Sequence, residues 1–325
     1  MRYVIYGAGG IGGTIGARLH QAGYDVCLIA RGDHFRAIQR DGLHFVSPTQ
    51  DVFLDIPCAD HPNDADIAPG DAVILCMKGQ HTEGALRDLY SATGGQAHVI
   101  CCQNGVENER LALRRFRHTY GMVVWLPAEH LEPGVVVNFA ENTAGGLDAG
   151  CYPSGVDEYI TEVTAALTKA GFSAEPDADI MRHKYEKLLA NLSNAVNAAT
   201  GEGSREIARV LREEALACYA AAGIRCATVE ETRARRGTIN GAPVPGHDRH
   251  GGSSLQSMMR GTGDIETDFL NGEIVLLGRQ YGIDVRANEI VQEIGNRLVR
   301  ESLQPGAMTI AEIEELVLPQ PGVSS

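Results

Sequence analysis

Apolar and polar positions follow two regimes along the chain. In the first half, short apolar runs of strand length ("RYVIY", "DVCLIA", "DAVILCMK", "HVICCQNG") are separated by segments with helical periodicity, "IGGTIGARLHQAG" and "GALRDLYSAT". Strands alternating with amphipathic helices predict an α/β fold built on a doubly wound parallel sheet. Within this half, "LHFVSPTQDVFLDIPCAD" predicts an added hairpin. "MVVWLPAEHLEPGVVVNFAENTAGGLDAG" predicts further strands with Pro-Gly and Gly-Gly turns, and "VDEYITEVTAALTKAG" a helix.

From residue 178 onward strand signals fade. "IMRHKYEKLLANLSNAVNAAT", "SREIARVLREEALACYAAAG", "LQSMMRGTGDIETDFLNGEIVLLGRQYG" and "ANEIVQEIGNRLVRES" all read as helical. The expected organisation is therefore a doubly wound domain over 1–177 and a mostly α-helical domain over 178–325. One irregular stretch, "RRGTINGAPVPGHDRHGG", is rich in Gly, Pro and His and precedes a helix start, which marks it as a candidate active-site rim.

A length of 325 residues agrees with two domains, each able to bury a core. The formal net charge of −14 repels nucleic acid phosphates and anionic lipid, and no basic cluster stands against that field, so neither is an expected partner. Eight cysteines are present, but Cys27, Cys76, Cys101 and Cys102 lie in apolar strand-like runs and no Cys/His metal-ligand spacing occurs. They read as reduced core thiols, and no metal site is expected. The chain opens on a strand pattern without a signal-peptide profile and has no apolar run of membrane-spanning length, which reads as cytoplasmic.

The segment "YVIYGAGGIGGTIGARL" places Gly7, Gly9 and Gly12 in a Gly-x-Gly-x-x-Gly pattern between a strand and a helix. The first glycine permits a tight turn, the second lets backbone approach a pyrophosphate, and the third lets helix pack on strand. The whole turn, Gly7, Ala8, Gly9, Gly10, Ile11 and Gly12, is a candidate dinucleotide cradle in a Rossmann-type domain. The second strand ends "CLIARGD", placing Arg31 where a 2'-phosphate would lie and favouring NADP(H) over NAD(H). The other account is a surface arginine, with Asp33 as a displaced ribose partner. Lys78 and Asn104 follow strands at the carboxyl edge, where ligands bind in open sheets; singly, each is also an ordinary loop residue.

In the helical half, Lys187, Asn191 and Asn194 recur at i, i+4 and i+7, so one helix would carry all three on a single stripe. A lysine in a partly desolvated cleft between the domains is suited to give a proton to a carbonyl oxygen as hydride arrives at carbon. The asparagines can hold substrate without adding charge. A polar seam at an interface explains the same spacing. In "SSLQSMMRGTGDIETDFLNG", Ser253 and Gln256 form a capping-box pattern, while Ser254 at a helix N-terminus can bind a carboxylate.

Taken in order, "GAGGIGG", "MK" at Lys78, "QNG" at Asn104, "KLLAN" with Lys187 and Asn191, and "SSLQ...IETDFLNG" with Ser254 and Glu266 resemble the ketopantoate reductase (2-dehydropantoate 2-reductase) family over nearly the full length. The resemblance implies NADPH-dependent reduction of a 2-keto acid to a 2-hydroxy acid, as in the pantothenate branch leading to coenzyme A. It implies that Lys187 is the proton donor and that Asn191 and Ser254 contact substrate. Asn104, Lys78 and Glu266 would line the junction of cofactor and substrate, and Ala128 would approach the nicotinamide.

Three departures leave the substrate open. Ala195 stands where the family often has another asparagine, and Asn194, one position earlier, is displaced by about 100° around a helix. Tyr185 replaces the more common aromatic before the lysine motif. The Arg235–Gly252 insertion, with His247, Asp248 and His250, is longer than expected. A reductase of another 2-keto acid or of an opine-type substrate, and a non-catalytic NADP sensor, are the competing readings; retention of Lys187 and Glu266 argues against the last. Leucine-rich helices also allow a homodimer.

Overall fold

The computed structural model describes residues 1–236, 239–250, 255, 258 and 265–318. The chain divides into two compact units, Met1–Lys184 with Thr228–Arg249, and Tyr185–Ala227 with the residues from His250 onward. A single boundary after residue 177 does not describe this division. Helix α6 (Ile180–Asn191) runs through the first crossing point, and the chain later returns to the first unit through α9 (Val229–Arg236). Long-range ion pairs hold that return: Arg235 reaches Asp148 and Asp177, each at 2.7 Å, and Arg182 pairs with Glu231 at 3.0 Å. Helical periodicity carries no signal of such contacts.

The first unit is the expected doubly wound fold. Its main sheet has the order β11-β8-β7-β6-β1-β2-β5. The strands are β1 (Tyr3–Tyr6), β2 (Val26–Ile29), β5 (Cys58–Ala59), β6 (Ala72–Leu75), β7 (His98–Cys101), β8 (Thr119–Met122) and β11 (Ala149–Cys151). All neighbours pair parallel except β11, which is antiparallel to β8. Strand order reverses at β1, so the crevice at its carboxyl end is the topological switch point. Helices α1 (Gly10–Gln21), α2 (Gly32–Asp41), α3 (Thr82–Thr93), α4 (Asn108–Leu113) and α5 (Glu158–Lys169) complete the windings.

The expected hairpin is β3 (Leu43–Ser47) with β4 (Gln50–Leu54), but it belongs to a second sheet ordered β4-β3-β10-β9, with β9 (Ala128–Glu129) and β10 (Val135–Asn138). Helix α1 is buried between the two sheets. A methyl group on Gly16 would lie 2.5 Å from Leu28, and one on Gly13 would lie 2.6 Å from Val136. Small residues on both sides of α1 let both sheets close on it.

The stretch read as an active-site rim is in part a structural strap. Ala242 N–H donates to Phe139 O at 2.7 Å, Glu141 N–H donates to Asn240 O at 3.0 Å, and Val244 is buried with Val46, Val137 and Phe139. Gly251 and Gly252 lie outside the described residues.

The second unit is helical: the end of α6, α7 (Asn194–Thr200), α8 (Arg205–Ala222), α10 (Asn271–Tyr281), α11 (Arg286–Arg300) and α12 (Ile310–Val317). Two fully buried asparagines link these helices. Asn271 donates to Leu192 O at 3.0 Å and to Asn288 Oδ1 at 3.1 Å, and Asn288 donates to Glu214 at 2.8 Å. The Glu214 carboxylate in turn accepts the Ala287 and Asn288 amides at the start of α11, at 2.8 and 3.0 Å, where negative charge is favoured.

Candidate active site

The turn from β1 into α1 has the sterics the glycine pattern requires. Gly7 takes φ +102°, and a methyl group there would lie 2.8 Å from Met77 N. A methyl group on Gly12 would sit 2.2 Å from Gly7 O and 2.8 Å from Ile5, so only glycine lets helix meet strand. Above Gly9 the space is open, the nearest atom to such a methyl being His130 Cδ2 at 4.0 Å. With Gly9 as N-cap, the first-turn amides of α1, Gly10, Ile11 and Gly12, lack intrahelical partners. Open approach, free amides and the positive end of the helix dipole together suit a pyrophosphate, so the residues present fit a dinucleotide. Gly10 also packs: its methyl position is 3.1 Å from the Ala128 carbonyl, which places Ala128 beside the start of α1.

A histidine pair missed in the sequence braces this turn. Gly134 N–H donates to His34 Nδ1 at 2.8 Å, so Nε2 carries the proton and donates to Ala8 O at 2.7 Å. The His130 ring lies 3.9 Å from that of His34. Neither residue belongs to a recognisable spacing; only the fold brings them together. Arg31 is exposed as the N-cap of α2, at the carboxyl end of β2, and Asp33 forms an ion pair with Arg36.

Lys78 and Asn104 follow β6 and β7 at the carboxyl edge of the sheet. Lys78 is half-buried and caps a 3-10 turn, Gly79–His81. In that turn both amide atoms of Gln80 are buried without a hydrogen-bond partner, as is Asn104 Oδ1. Around Asn104 runs a chain of side chains: Gln103 Nε2 donates to Thr82 Oγ1 (2.7 Å), Thr82 Oγ1 to Asn108 Oδ1 (2.7 Å), and Asn108 Nδ2 to Asn104 O (3.0 Å).

Helix α6 carries two lysines in different states. Lys184 is 2% exposed and its ammonium donates to Cys101 O (3.2 Å), to Gln103 O (3.0 Å) and to the fully buried Glu109 carboxylate. An ammonium has three donors and all three are committed, so Lys184 has no proton to offer a ligand. Burial pushes the Glu109 carboxyl above the usual carboxylate range, against the opposing pull of Lys184. Lys187, one turn on, is half-buried.

Within the second unit, Lys187 and Asn191 share a face of α6, and Asn191 Nδ2 is buried without a hydrogen-bond partner. The single stripe expected through Asn194 does not form. The helix stops at Asn191, residues 192 and 193 turn, and Asn194 opens α7. The break is stabilised because Asn271 takes up the carbonyl that Leu192 releases. Ala195 is buried, and Glu266 is buried ahead of a 3-10 turn, Thr267–Phe269. Ser253, Ser254 and Gln256 lie outside the described residues. Among the described residues no group of side chains suited to a metal ion occurs, and no helix is long and apolar enough to cross a membrane.

Comparison with known proteins places the chain in a family. Residues 3–153 match the family described as ketopantoate reductase PanE/ApbA, and residues 179–298 match its C-terminal counterpart. A 2-dehydropantoate 2-reductase of Archaeoglobus fulgidus is 32% identical over 302 residues, covering 88% of this chain and 94% of that one. Among solved structures, a PanE/ApbA family ketopantoate reductase from Ralstonia eutropha JMP134 superposes with a TM-score of 0.77 at 24% identity, covering 93% and 99% of the two chains. D-mandelate dehydrogenase with NADH and anilino(oxo)acetate gives a TM-score of 0.78 at 21% identity with the same coverage; at that distance the likeness is one of fold. The chain belongs to the ketopantoate reductase family and is an NADP-dependent oxidoreductase.

Proposed function

We propose that this enzyme reduces a 2-keto acid to the 2-hydroxy acid with NADPH, with 2-dehydropantoate as the first substrate. The observation that carries this reading is the pairing of Lys187 with the buried, unpartnered Asn191 Nδ2 one turn along α6, while the donors of Lys184 are already committed. The family match and the Archaeoglobus fulgidus relative support the substrate class.

When bound in the Gly7–Gly12 turn, NADPH supplies the hydride for the keto carbon. The keto oxygen gains negative charge as its π electrons shift onto it, and Lys187 gives it a proton from Nζ, leaving a neutral amine that solvent reprotonates. Asn191 Nδ2 donates to a substrate oxygen and fixes the acid, while Ser254 is assigned to its carboxylate through the sequence resemblance. Asn194 is assigned a supporting substrate contact, and Lys78 and Glu266 are assigned to the nicotinamide side of the substrate. Arg31 is assigned to the 2'-phosphate. The eight unpaired cysteines suit the reduced cytoplasm.

Lys187→Ala tests the proton donor: NADPH affinity is expected to stay within about twofold while kcat falls by about a thousandfold, the span of general acid catalysis. Near-wild-type turnover in that variant would remove Lys187 from the mechanism. A panel of 2-keto acids, with NADPH and NADH in parallel, tests substrate and cofactor together. A second reading, in which the same reaction acts on a different 2-keto acid, draws on Ala195 and on the displacement of Asn194 onto α7; higher kcat/KM for another member of the panel would establish it.

A further inference from the structure

A buried ion pair is weak as a stabilising device, because desolvation offsets much of the attraction and apolar residues of equal volume do as well or better. Lys184 and Glu109 are 2% and 0% exposed, so stability alone does not account for them. What the pair does is hold a particular stretch of backbone. Lys184 Nζ grips Cys101 O and Gln103 O, the last turn of chain before Asn104. From the other side Asn108 Nδ2 grips Asn104 O, and Asn108 is itself fixed through Thr82 to the Gln103 side chain. Glu109 and Asn108 are adjacent on α4, so one short helix anchors both grips.

Held in this way, Asn104 keeps its Oδ1 buried and without a partner, an arrangement with a standing cost that a relaxed loop would remove by turning the amide. The oxygen is an acceptor and needs a ligand donor. The keto and carboxylate oxygens that every 2-keto acid shares only accept, whereas the nicotinamide carboxamide and the ribose hydroxyls donate; the hydroxyl of 2-dehydropantoate donates as well, and NADPH binding in the absence of substrate separates the two.

We propose that Lys184, Glu109 and Asn108 are positioning residues that lock the Gln103–Asn104 backbone so that Asn104 Oδ1 receives a hydrogen bond from the nicotinamide riboside half of NADPH. The inference rests on the dinucleotide reading of the first unit, and it is independent of which acid is reduced.

The test is NADPH binding, followed by cofactor fluorescence. The apolar double variant Lys184→Met/Glu109→Leu, which leaves no unpaired buried charge, is expected to melt cooperatively near the wild-type temperature and to bind NADPH about tenfold more weakly, the loss of roughly one hydrogen bond. Asn108→Ala, which keeps the ion pair, is expected to weaken binding in the same direction and carries the test if the double variant does not fold. In an Asn104→Ala background the same substitutions are expected to add less than twofold, because the group they position is gone. NADPH affinity within twofold of wild type in a folded variant, or full additivity with Asn104→Ala, would overturn the proposal. A substrate panel without turnover would sink the proposed reaction and leave these affinities to be judged separately.

Discussion

The glycine-rich turn after β1 and the polar seat of Asn104 after β7 lie at the carboxyl edge of one sheet, yet opposite physics shapes them. At the turn, the geometry comes from what is absent: glycines whose missing side chains let Met77, Ile5 and the Gly7 carbonyl approach, with open space above Gly9. At Asn104, the geometry comes from what is present at high cost, a buried ammonium, a buried carboxylate and a chain of amides. The glycines that make the first site all lie within one six-residue stretch, Gly7–Gly12, whereas the second site is made by residues up to 83 apart in the chain. A site of the first kind can be read locally; one of the second kind is visible only when folded.

The largest effect expected of a variant that separates the two is Lys184→Met alone. It strands the Glu109 carboxylate and should cost about 3–5 kcal/mol in urea unfolding, whereas adding Glu109→Leu should restore most of that. Equal losses in the single and double variants would show that Lys184 contributes by packing and not by charge. Next comes Gly12→Ala. Its new methyl meets a carbonyl at 2.2 Å, so a loss of about 1–3 kcal/mol from overpacking should accompany a marked loss of NADPH affinity, read by calorimetry. Unchanged cofactor binding there would detach the turn from the dinucleotide.

The polar links of the second unit extend the comparison. Asn288→Ala removes donors to Leu211 O and Glu214 and an acceptor for Asn271. A loss of about 1–3 kcal/mol is expected from the groups left unsatisfied, with NADPH affinity unchanged; weakened NADPH binding would contradict a purely structural role.

The smallest effect is a pH dependence. The Asp177 carboxyl is held down to about 2 from its ordinary 3.8, first by the hydrogen bond from His183, with burial opposing and the Asp179 amide and Arg235 assisting. A depressed carboxylate contributes stability that is complete above its unfolded pKa. That contribution is lost as pH falls from the ordinary range through 2. Asp177→Asn should lower stability at neutral pH, where the contribution is complete, and flatten the acid limb of the stability curve. An unaltered acid limb would rule out Asp177 as its source.

Particular residues show how far the sequence reached. Periodicity over "KYEKLLANLSNAVNAAT" predicts one helix and one polar stripe, but the chain breaks at residues 192 and 193. The break is supported by Asn271, nearly eighty residues later, and a local pattern holds no record of a distant donor. The Gly- and His-rich insertion reads as a loop because it lacks periodicity, yet Ala242 and Val244 pack on the second sheet. Lys184 and Lys187 are indistinguishable as letters in a helix; only the fold buries Lys184 among three acceptors and leaves Lys187 half-buried.

By itself the sequence determined the doubly wound sheet, the helical second half, the glycine turn and its family, because each rests on short-range sterics and on regular burial of apolar faces. The tertiary structure alone decided where α6 ends, that the donors of Lys184 are committed, which histidines brace the turn and what holds Asn104. Those outcomes depend on hydrogen bonds and ion pairs between residues far apart in the chain, whose strength comes from burial, and burial exists only once the chain has folded.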